Sequence, residues 1–457
     1  MRSLVILSLD GFSQTLFNSF RFSIPVINEL MQHSLVFRNF HSASTSGFQS
    51  FCDLMYGDSS ELDHNEIYPS GPGCLRGRNS HFFALLRAAG YETLGAQLGT
   101  PCPAYAREGF WGAWPEECGP FLAASDSESI HAAIQDIMER AAANRKPFAM
   151  YLSLRSFMPR DGTVVPGTTP GYHWINMFNQ PDRGLMVKQG CAPWLCYEPF
   201  ASRLLAALSG RGALAGTLLA VLANHGLDFW THRLYGGRTH AIDPYADLCW
   251  LPLFIYNNGA DAGVYDNIVS MVDLKTTLFS MLMPDASPPP PQTPFAGMNV
   301  FREKRSFAFS QRMFARQFDN RDEYKSMEKS YSITDGDQRL IVSSGGGKEN
   351  QGGMELYYDV RDPSNTRNFL DFFKLDAAGN MTEFGHKHVN HVHFLQAFKP
   401  HLVMSVVGAY NAMRQHLYNF VRAKEMAAIL DPQNPRGEVM PDKVFTRKRE
   451  QPTGRRL

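Results

Sequence analysis

No run of eighteen consecutive apolar residues occurs in the 457-residue chain, so no segment has the length of a membrane-spanning helix. Net charge is absent as well: Lys and Arg together number 44, and Asp and Glu together also number 44. A neutral chain exerts no whole-molecule attraction on nucleic acid. The one basic stretch is at the end, with Lys443, Arg447, Lys448, Arg449, Arg455 and Arg456, and it reads as a solvated tail. The seven cysteines are odd in number, scattered and without a zinc-ligand rhythm. A chain of this size does not depend on disulfides, so buried free thiols are expected. The opening MRSLVILSLDGF has only a short apolar run, which meets Asp10 without a small-residue cleavage site. It reads as a strand rather than a leader, and the expected compartment is the cytoplasm. Internal repeats are absent too.

What is present is core material. Hydrophobic residues make up 44% of the chain, and the length fits one large domain with one or two smaller ones. Residues 4–9 read as a buried strand ending in a polar residue and glycine. The segment 23–41 reads as a helix with Ser23 as N-cap and Pro25 in its first turn, followed by a strand. Helices are expected over 80–90, 129–143 and 200–216, and buried strands over 91–94, 147–154, 217–223 and 251–256. This alternation means an α/β fold with a mostly parallel sheet flanked by helices. The proline-rich stretch near 284–294 is a loop. Beyond it, short strands over 307–345 and 354–360 suggest a small antiparallel subdomain, and 394–430 is mostly helical. The expected division is 1–305, 306–375 and a helical extension over 376–457 ending in the basic tail.

Three places put polar groups directly after a strand: Asp10, the hydroxyl cluster Ser42, Ser44, Thr45 and Ser46, and Asn224-His225-Gly226. Ligands of parallel sheets sit at the carboxyl ends of strands. Together these groups offer oxygen and nitrogen donors to a divalent cation, which would activate a hydroxyl for attack. Separately, Asp-Gly is a turn and a Ser/Thr run is a loop or helix cap. His386, His388, His391 and His393 match no closed zinc pattern and read as solvated residues before a helix.

Seven segments, in order over roughly residues 4–375, resemble the sulfatase-like family of the alkaline phosphatase superfamily. They are LVILSLDGF, IPVINELMQHSLVFRNFHSAST, FFALLRAAGYETLGAQ, VLANHGLDFW, LPLFIY, VDLKTTLFSML and ELYYDVRDPSNTRNFLD. The resemblance implies an alkaline-phosphatase-like fold and a metal-dependent hydrolase or group transferase acting on sulfate or phosphate esters through a covalent intermediate. It implies one divalent metal ion (Ca, Mn, Zn or Mg) held by Asp10, Thr45, Asn224 and His225. The substrate would be a small-molecule, glycan or lipid head-group ester, with no nucleic-acid partner.

Departures from the family narrow the reading. The Cys/Ser-x-Pro-Ser-Arg motif is missing, and counting back from Tyr56-Gly57 puts Gly47 near its register. The sulfate-binding Lys and His are also missing, with Gly95, Ala96 and Gln97 in their region. The Ser-Thr-Ser run instead resembles phosphoethanolamine and phosphoglycerol transferases, which use an unmodified threonine. That match makes Thr45 the nucleophile, with Ser46 as runner-up and as a substrate contact. THAIDPY resembles the transferases' His-Gly-x-Pro-Tyr and nominates His240 to protonate the leaving oxygen or to bind a second metal. Arg155 and Arg160, after a strand, are candidates to clamp the anion. Asp161, His173 and His232 are second-metal candidates without a motif. The alternative is a catalytically degenerate member that binds an anionic ligand, consistent with Asn224 where phosphoryl-transfer members usually carry Asp.

Overall fold

The structure, a computed structural model, describes residues 1–58, 80–99, 114–154, 197–229, 238–239, 244–258, 262–286, 296–312, 330–343, 355–361, 368–371, 373–378, 380–384 and 400–430. Two compact units divide it, Met1–Ser310 and Gln311–Leu457.

The first unit is built on eight strands: β1 Ser3–Leu9, β2 Leu35–His41, β3 Glu92–Leu98, β4 Phe121–Ala124, β5 Phe148–Leu154, β6 Thr217–Ala223, β9 Trp250–Tyr256 and β10 Gly263–Ser270. A short hairpin, β7 Asp228–Phe229 with β8 Arg238–Thr239, stands apart from them. The sheet order is β10-β2-β9-β6-β1-β5-β3-β4. The centre, β6-β1-β5-β3, is parallel throughout, and β9 alone runs against both of its neighbours. Central strands covered on both faces must be apolar along their whole length. SLVILSL, FAMYLSL and TLLAVLA meet that demand, and every residue of β5 and β6 is buried.

Helices cover both faces. On one, Phe17 of α1 (Gln14–Phe20) packs on Phe254 of β9 with ring centroids 6.2 Å apart. The helix α2 (Pro25–Gln32) starts at Ile24 rather than at the expected Ser23, and Ile24 makes no side-chain cap. The capping acceptor comes from elsewhere: Glu198 Oε1 takes the Val26 N–H at 2.9 Å, satisfying one of the helix's orphan donors. On the other face, Phe51 of α3 (Gly47–Tyr56) lies 5.1 Å from Tyr151 of β5. The remaining helices of this unit are α4 Phe82–Ala88, α5 Ser127–Ala143, α6 Tyr197–Gly210, α7 Ala246–Cys249 and α8 Asp273–Leu282. The expected helix over 200–216 thus ends at Gly210, with a separate short turn over Leu214–Gly216. Cys52, Cys118 and Cys249 are buried thiols outside any disulfide, in line with the expectation; the other four cysteines lie outside the described residues.

A four-stranded sheet has the order β11-β12-β13-β14, formed by Ala308–Arg312, Ser330–Thr334, Gln338–Ser343 and Glu355–Asp359, all of it from Gln311 onward belonging to the second unit. A two-stranded ribbon, β15 Phe373–Leu375 with β16 Met381–Phe384, accompanies it. The helix α9, Pro400–Leu430, is fastened to these strands by paired bonds: Asn411 Nδ2 to the Met381 carbonyl at 2.9 Å, and the Met381 N–H to Asn411 Oδ1 at 2.8 Å. Among the described residues no helix is long and apolar enough to cross a membrane.

Candidate active site at the carboxyl ends of strands

Asp10 is the first residue past β1, and its N–H donates to the Leu154 carbonyl at the end of β5 at 2.9 Å. Asn224 and His225 are the first two residues past β6. Because β1 and β6 are neighbours in register to Leu9↔Ala223, side chains far apart in sequence meet. Asp10 Oδ1 lies 3.1 Å from His225 Nε2 and 3.3 Å from Asn224 Nδ2. His225 and Asn224 are 3% and 4% exposed. The Asp10 carboxylate, at 14%, is the part of this trio that reaches solvent.

The bonds around the trio define its chemistry. His225 Nδ1 sits 2.7 Å from the Gly226 carbonyl, which only accepts, so Nδ1 carries a proton. In the neutral ring Nε2 then presents a lone pair to a carboxylate oxygen. Two acceptors at that distance require a positive species between them, either a proton or a metal ion. An Nδ1–H held by a backbone carbonyl is also the arrangement that orients an imidazole for ligation through Nε2. Asp10 and His225 therefore fit a divalent cation. Asn224 is turned differently: its Oδ1 accepts the His225 N–H at 2.8 Å, so its amide N–H groups face Asp10. Among the described residues no three His, Cys, Asp or Glu side chains cluster. The trio thus offers a cation one carboxylate and one imidazole, beside an amide donor.

The hydroxyl run sorts itself by bonding. Ser42 Oγ donates to the Ser44 carbonyl at 2.6 Å and lies 2.8 Å from Ser50 Oγ, which in turn lies 3.1 Å from Ser44 Oγ. Ser42 Oγ also reaches the Asn224 carbonyl at 3.3 Å, tying this loop to the end of β6. Ser46 is the N-cap of α3, accepting the Gln49 N–H at 3.4 Å. Thr45 remains: it is fully buried, and its Oγ1 has no hydrogen-bond partner. Of the four hydroxyls, three are committed to structure and one is not.

Sequence reasoning passed over the start of α3. GFQSFCDLMY begins with glycine and mixes aromatic, polar and apolar residues without a helical stripe. Gly47 sits where a Cβ would stand 3.3 Å from each of Asn224 Nδ2, His225 Cδ2 and His225 Nε2. The glycine permits a close backbone approach. Position 47, which the family pattern had put near the nucleophile register, is therefore the point at which α3 touches the trio. Gly226 is under a harder constraint, because a Cβ there would lie 1.9 Å from the Asp247 carbonyl oxygen. Replacing Gly47 by Ala should push His225 and Asn224 by a few tenths of an ångström. We expect a stability cost of about 1–3 kcal/mol, seen as a lower urea midpoint, and a larger proportional loss of activity or metal affinity. His240, Arg155, Arg160, Asp161, His173, His232 and the four histidines at 386, 388, 391 and 393 lie outside the described residues, as does the side chain of Asp228.

An eight-stranded, mostly parallel sheet flanked by helices, with polar groups gathered at its strand ends and a small antiparallel sheet following, is the alkaline-phosphatase-like fold. The chain's structural neighbours are sulfatases and other members of the alkaline phosphatase superfamily. One is a protein solved in complex with its substrate D-glucosamine-2-N,6-O-disulfate, at 14% identity and TM-score 0.60, covering 95% of this chain and 99% of that one. A phosphonate monoester hydrolase from Silicibacter pomeroyi matches at 14% identity and TM-score 0.57, over 81% of this chain and 91% of that one. The lipoteichoic acid synthase LtaP from Listeria monocytogenes matches at 14% identity and TM-score 0.52, over 78% and 85%. At these identities the likeness is one of fold. No protein-family model matches the chain, and no curated protein does.

Proposed function

We propose that this protein is a hydrolase or group transferase for a sulfate or phosphate ester, with Thr45 as nucleophile and a divalent cation held by Asp10 and His225 beside Asn224. The observation that carries the reading is the approach of His225 Nε2 to the Asp10 carboxylate, 3.1 Å away, with Nδ1 held by the Gly226 carbonyl. A hydroxyl run with one uncommitted oxygen, Thr45 Oγ1, belongs to the loop bonded to the same strand end. A cation bound there would supply positive charge against the attacking oxygen and the transferred group.

The protein's own residues do the rest. Thr45 Oγ1 gives up its proton and attacks phosphorus or sulfur in line, and the bond to the alcohol oxygen breaks. The alcohol leaves with a proton, for which the sequence nominates His240. The group, now a threonine ester, passes to water or to an acceptor hydroxyl, and Thr45 regains its proton. The neighbours' names support the same pair of choices, sulfate or phosphorus ester and hydrolysis or transfer, for a small-molecule, glycan or lipid head-group substrate.

One observation favours a second reading, in which the chain binds an anionic ester without turning it over. Gly47, near the nucleophile register of the family pattern and placed so that a Cβ would stand 3.3 Å from His225 and Asn224, carries no functional group. Assays of p-nitrophenyl phosphate, bis-p-nitrophenyl phosphate and p-nitrophenyl sulfate with Mn, Zn, Mg or Ca separate the two. We expect turnover that chelation removes and metal restores. Bound metal with no turnover of any ester selects the binding reading.

A further inference from the structure

We propose that Gln49 is a substrate-contact residue whose carboxamide N–H holds an oxygen of the transferred phosphate or sulfate group; this deepens the reading above and rests on it. Gln49 lies in the first turn of α3, the helix whose start abuts the Asp10–Asn224–His225 trio through Gly47. Its side chain is fully buried and folds back to the helix start, where Ser46 Oγ donates to Gln49 Oε1 at 3.2 Å. That donation fixes the orientation of the carboxamide. Ser46 Oγ already accepts the Gln49 backbone N–H, so its own proton goes to the amide oxygen, and the amide nitrogen is left pointing elsewhere. Nε2 has two N–H donors and no acceptor.

A buried donor without an acceptor forfeits its hydration with nothing in return. Native structures leave few such donors unanswered, the partner being protein, ordered water, an ion or a ligand. Here a second orphan, Thr45 Oγ1, lies four positions away at the same helix end. Both orphans are uncharged, and both flank the end of a helix that favours an anion. A tetrahedral oxyanion ester answers all three features: an oxygen for Nε2–H, a reacting centre for Thr45 Oγ1, and negative charge at the start of α3. One Asn224 Nδ2–H is committed to Asp10, whereas neither N–H of Gln49 Nε2 has an acceptor.

The test uses the full chain and two variants, Gln49→Leu and Gln49→Glu. The ligand-free readout is the melting temperature with and without orthovanadate, inorganic phosphate and inorganic sulfate, each also titrated by calorimetry. We expect the wild type to be stabilised by at least one oxyanion. Gln49→Leu should keep or raise the ligand-free melting temperature and weaken oxyanion binding about tenfold or more. Gln49→Glu should abolish it by charge repulsion. In ester assays Gln49→Leu should raise KM more than it lowers kcat. Equal oxyanion binding by wild type and Gln49→Leu overturns the proposal. So does a ligand-free melting temperature that falls in Gln49→Leu while oxyanion binding holds, since Nε2 would then have an internal partner. A wild type that binds no oxyanion also overturns it. Failure of the parent reading looks different: oxyanions bind in a Gln49-dependent way, yet no ester turns over with any metal.

Discussion

Thr45→Ala should lower turnover by about 10³-fold or more and leave the protein as stable as the wild type. The two halves of that expectation have separate causes. Thr45 Oγ1 is buried and bonded to nothing, so removing it ends an unsatisfied hydroxyl worth roughly 1–3 kcal/mol. The lost methyl group leaves a small cavity costing about 1 kcal/mol. The terms oppose each other, and the melting temperature should barely move. Ser46→Ala should behave differently: Ser46 caps α3 through the Gln49 N–H, so its loss should cost about 1 kcal/mol of stability, and because Ser46 also orients the Gln49 carboxamide KM should rise while kcat stays far above that of Thr45→Ala. Thr45→Ser keeps the hydroxyl and should keep measurable turnover. Melting curves beside steady-state kinetics for the three variants decide the matter. Activity lost in Ser46→Ala and kept in Thr45→Ala would make Ser46 the nucleophile.

The metal expectation is linked to this result through Asp10. If Asp10 and His225 hold a cation, Asp10→Asn removes the only charge of the trio, and metal affinity should fall with activity. The carboxylate also accepts from Asn224 Nδ2, and an amide at position 10 can keep that bond through its own Oδ1. Isothermal titration with Mn separates the effects: lost affinity with a preserved melting curve is the expected pattern.

The strand ends were legible because central parallel strands need unbroken apolar runs, and the polar residue closing each run is conspicuous. Asp10 after LVILSL and Asn224-His225 after TLLAVLA announce themselves in this way. Their meeting depends only on β1 and β6 being neighbours, which the fold supplies. The hydroxyl run was visible as a run, but not the division of labour inside it. Whether a serine bonds another serine eight positions away, as Ser42 does Ser50, is decided by tertiary packing. The first turn of α3 was invisible for the same reason: Gly47 matters through contact with residues 224 and 225, and Gln49 through the direction in which its amide folds. Ser23 misled because it is a good N-cap by type, while a carboxylate from α6 performs the capping of α2. The strand β10 escaped notice because it is an edge: GVYDNIVS is exposed over its first half and buried only from Ile268 onward.

Acid should unfold this protein through a histidine that has no part in the proposed chemistry. His81 caps α4 by accepting the Phe83 N–H on Nδ1 at 3.1 Å, and Cys118 Sγ approaches the same nitrogen at 3.0 Å. Trp114 and Tyr56 stand edge-on to its ring, each with centroids 5.3 Å away. Behind it, the Lys275 ammonium donates to the carbonyls of Tyr56 and Ser80 at 2.9 and 2.7 Å. Protonation would consume the capping acceptor and place a second charge in an aromatic enclosure. Burial first, and the Lys275 charge second, push the His81 pKa from 6.5 down to about 3. In the unfolded chain the imidazole takes up its proton below pH 6.5, while the folded chain refuses it until about pH 3. Over that window the unfolded state binds more protons, so stability falls as pH falls. The slope is about 1.4 kcal/mol per pH unit, and the whole window is worth roughly 5 kcal/mol. His81→Asn keeps a side-chain acceptor for the Phe83 N–H and cannot titrate. Urea midpoints measured across pH 3 to 6.5 should therefore fall less steeply in His81→Asn than in the wild type, by about one proton's slope. Parallel slopes in the two proteins would place the acid sensitivity in carboxylates and remove His81 from the account.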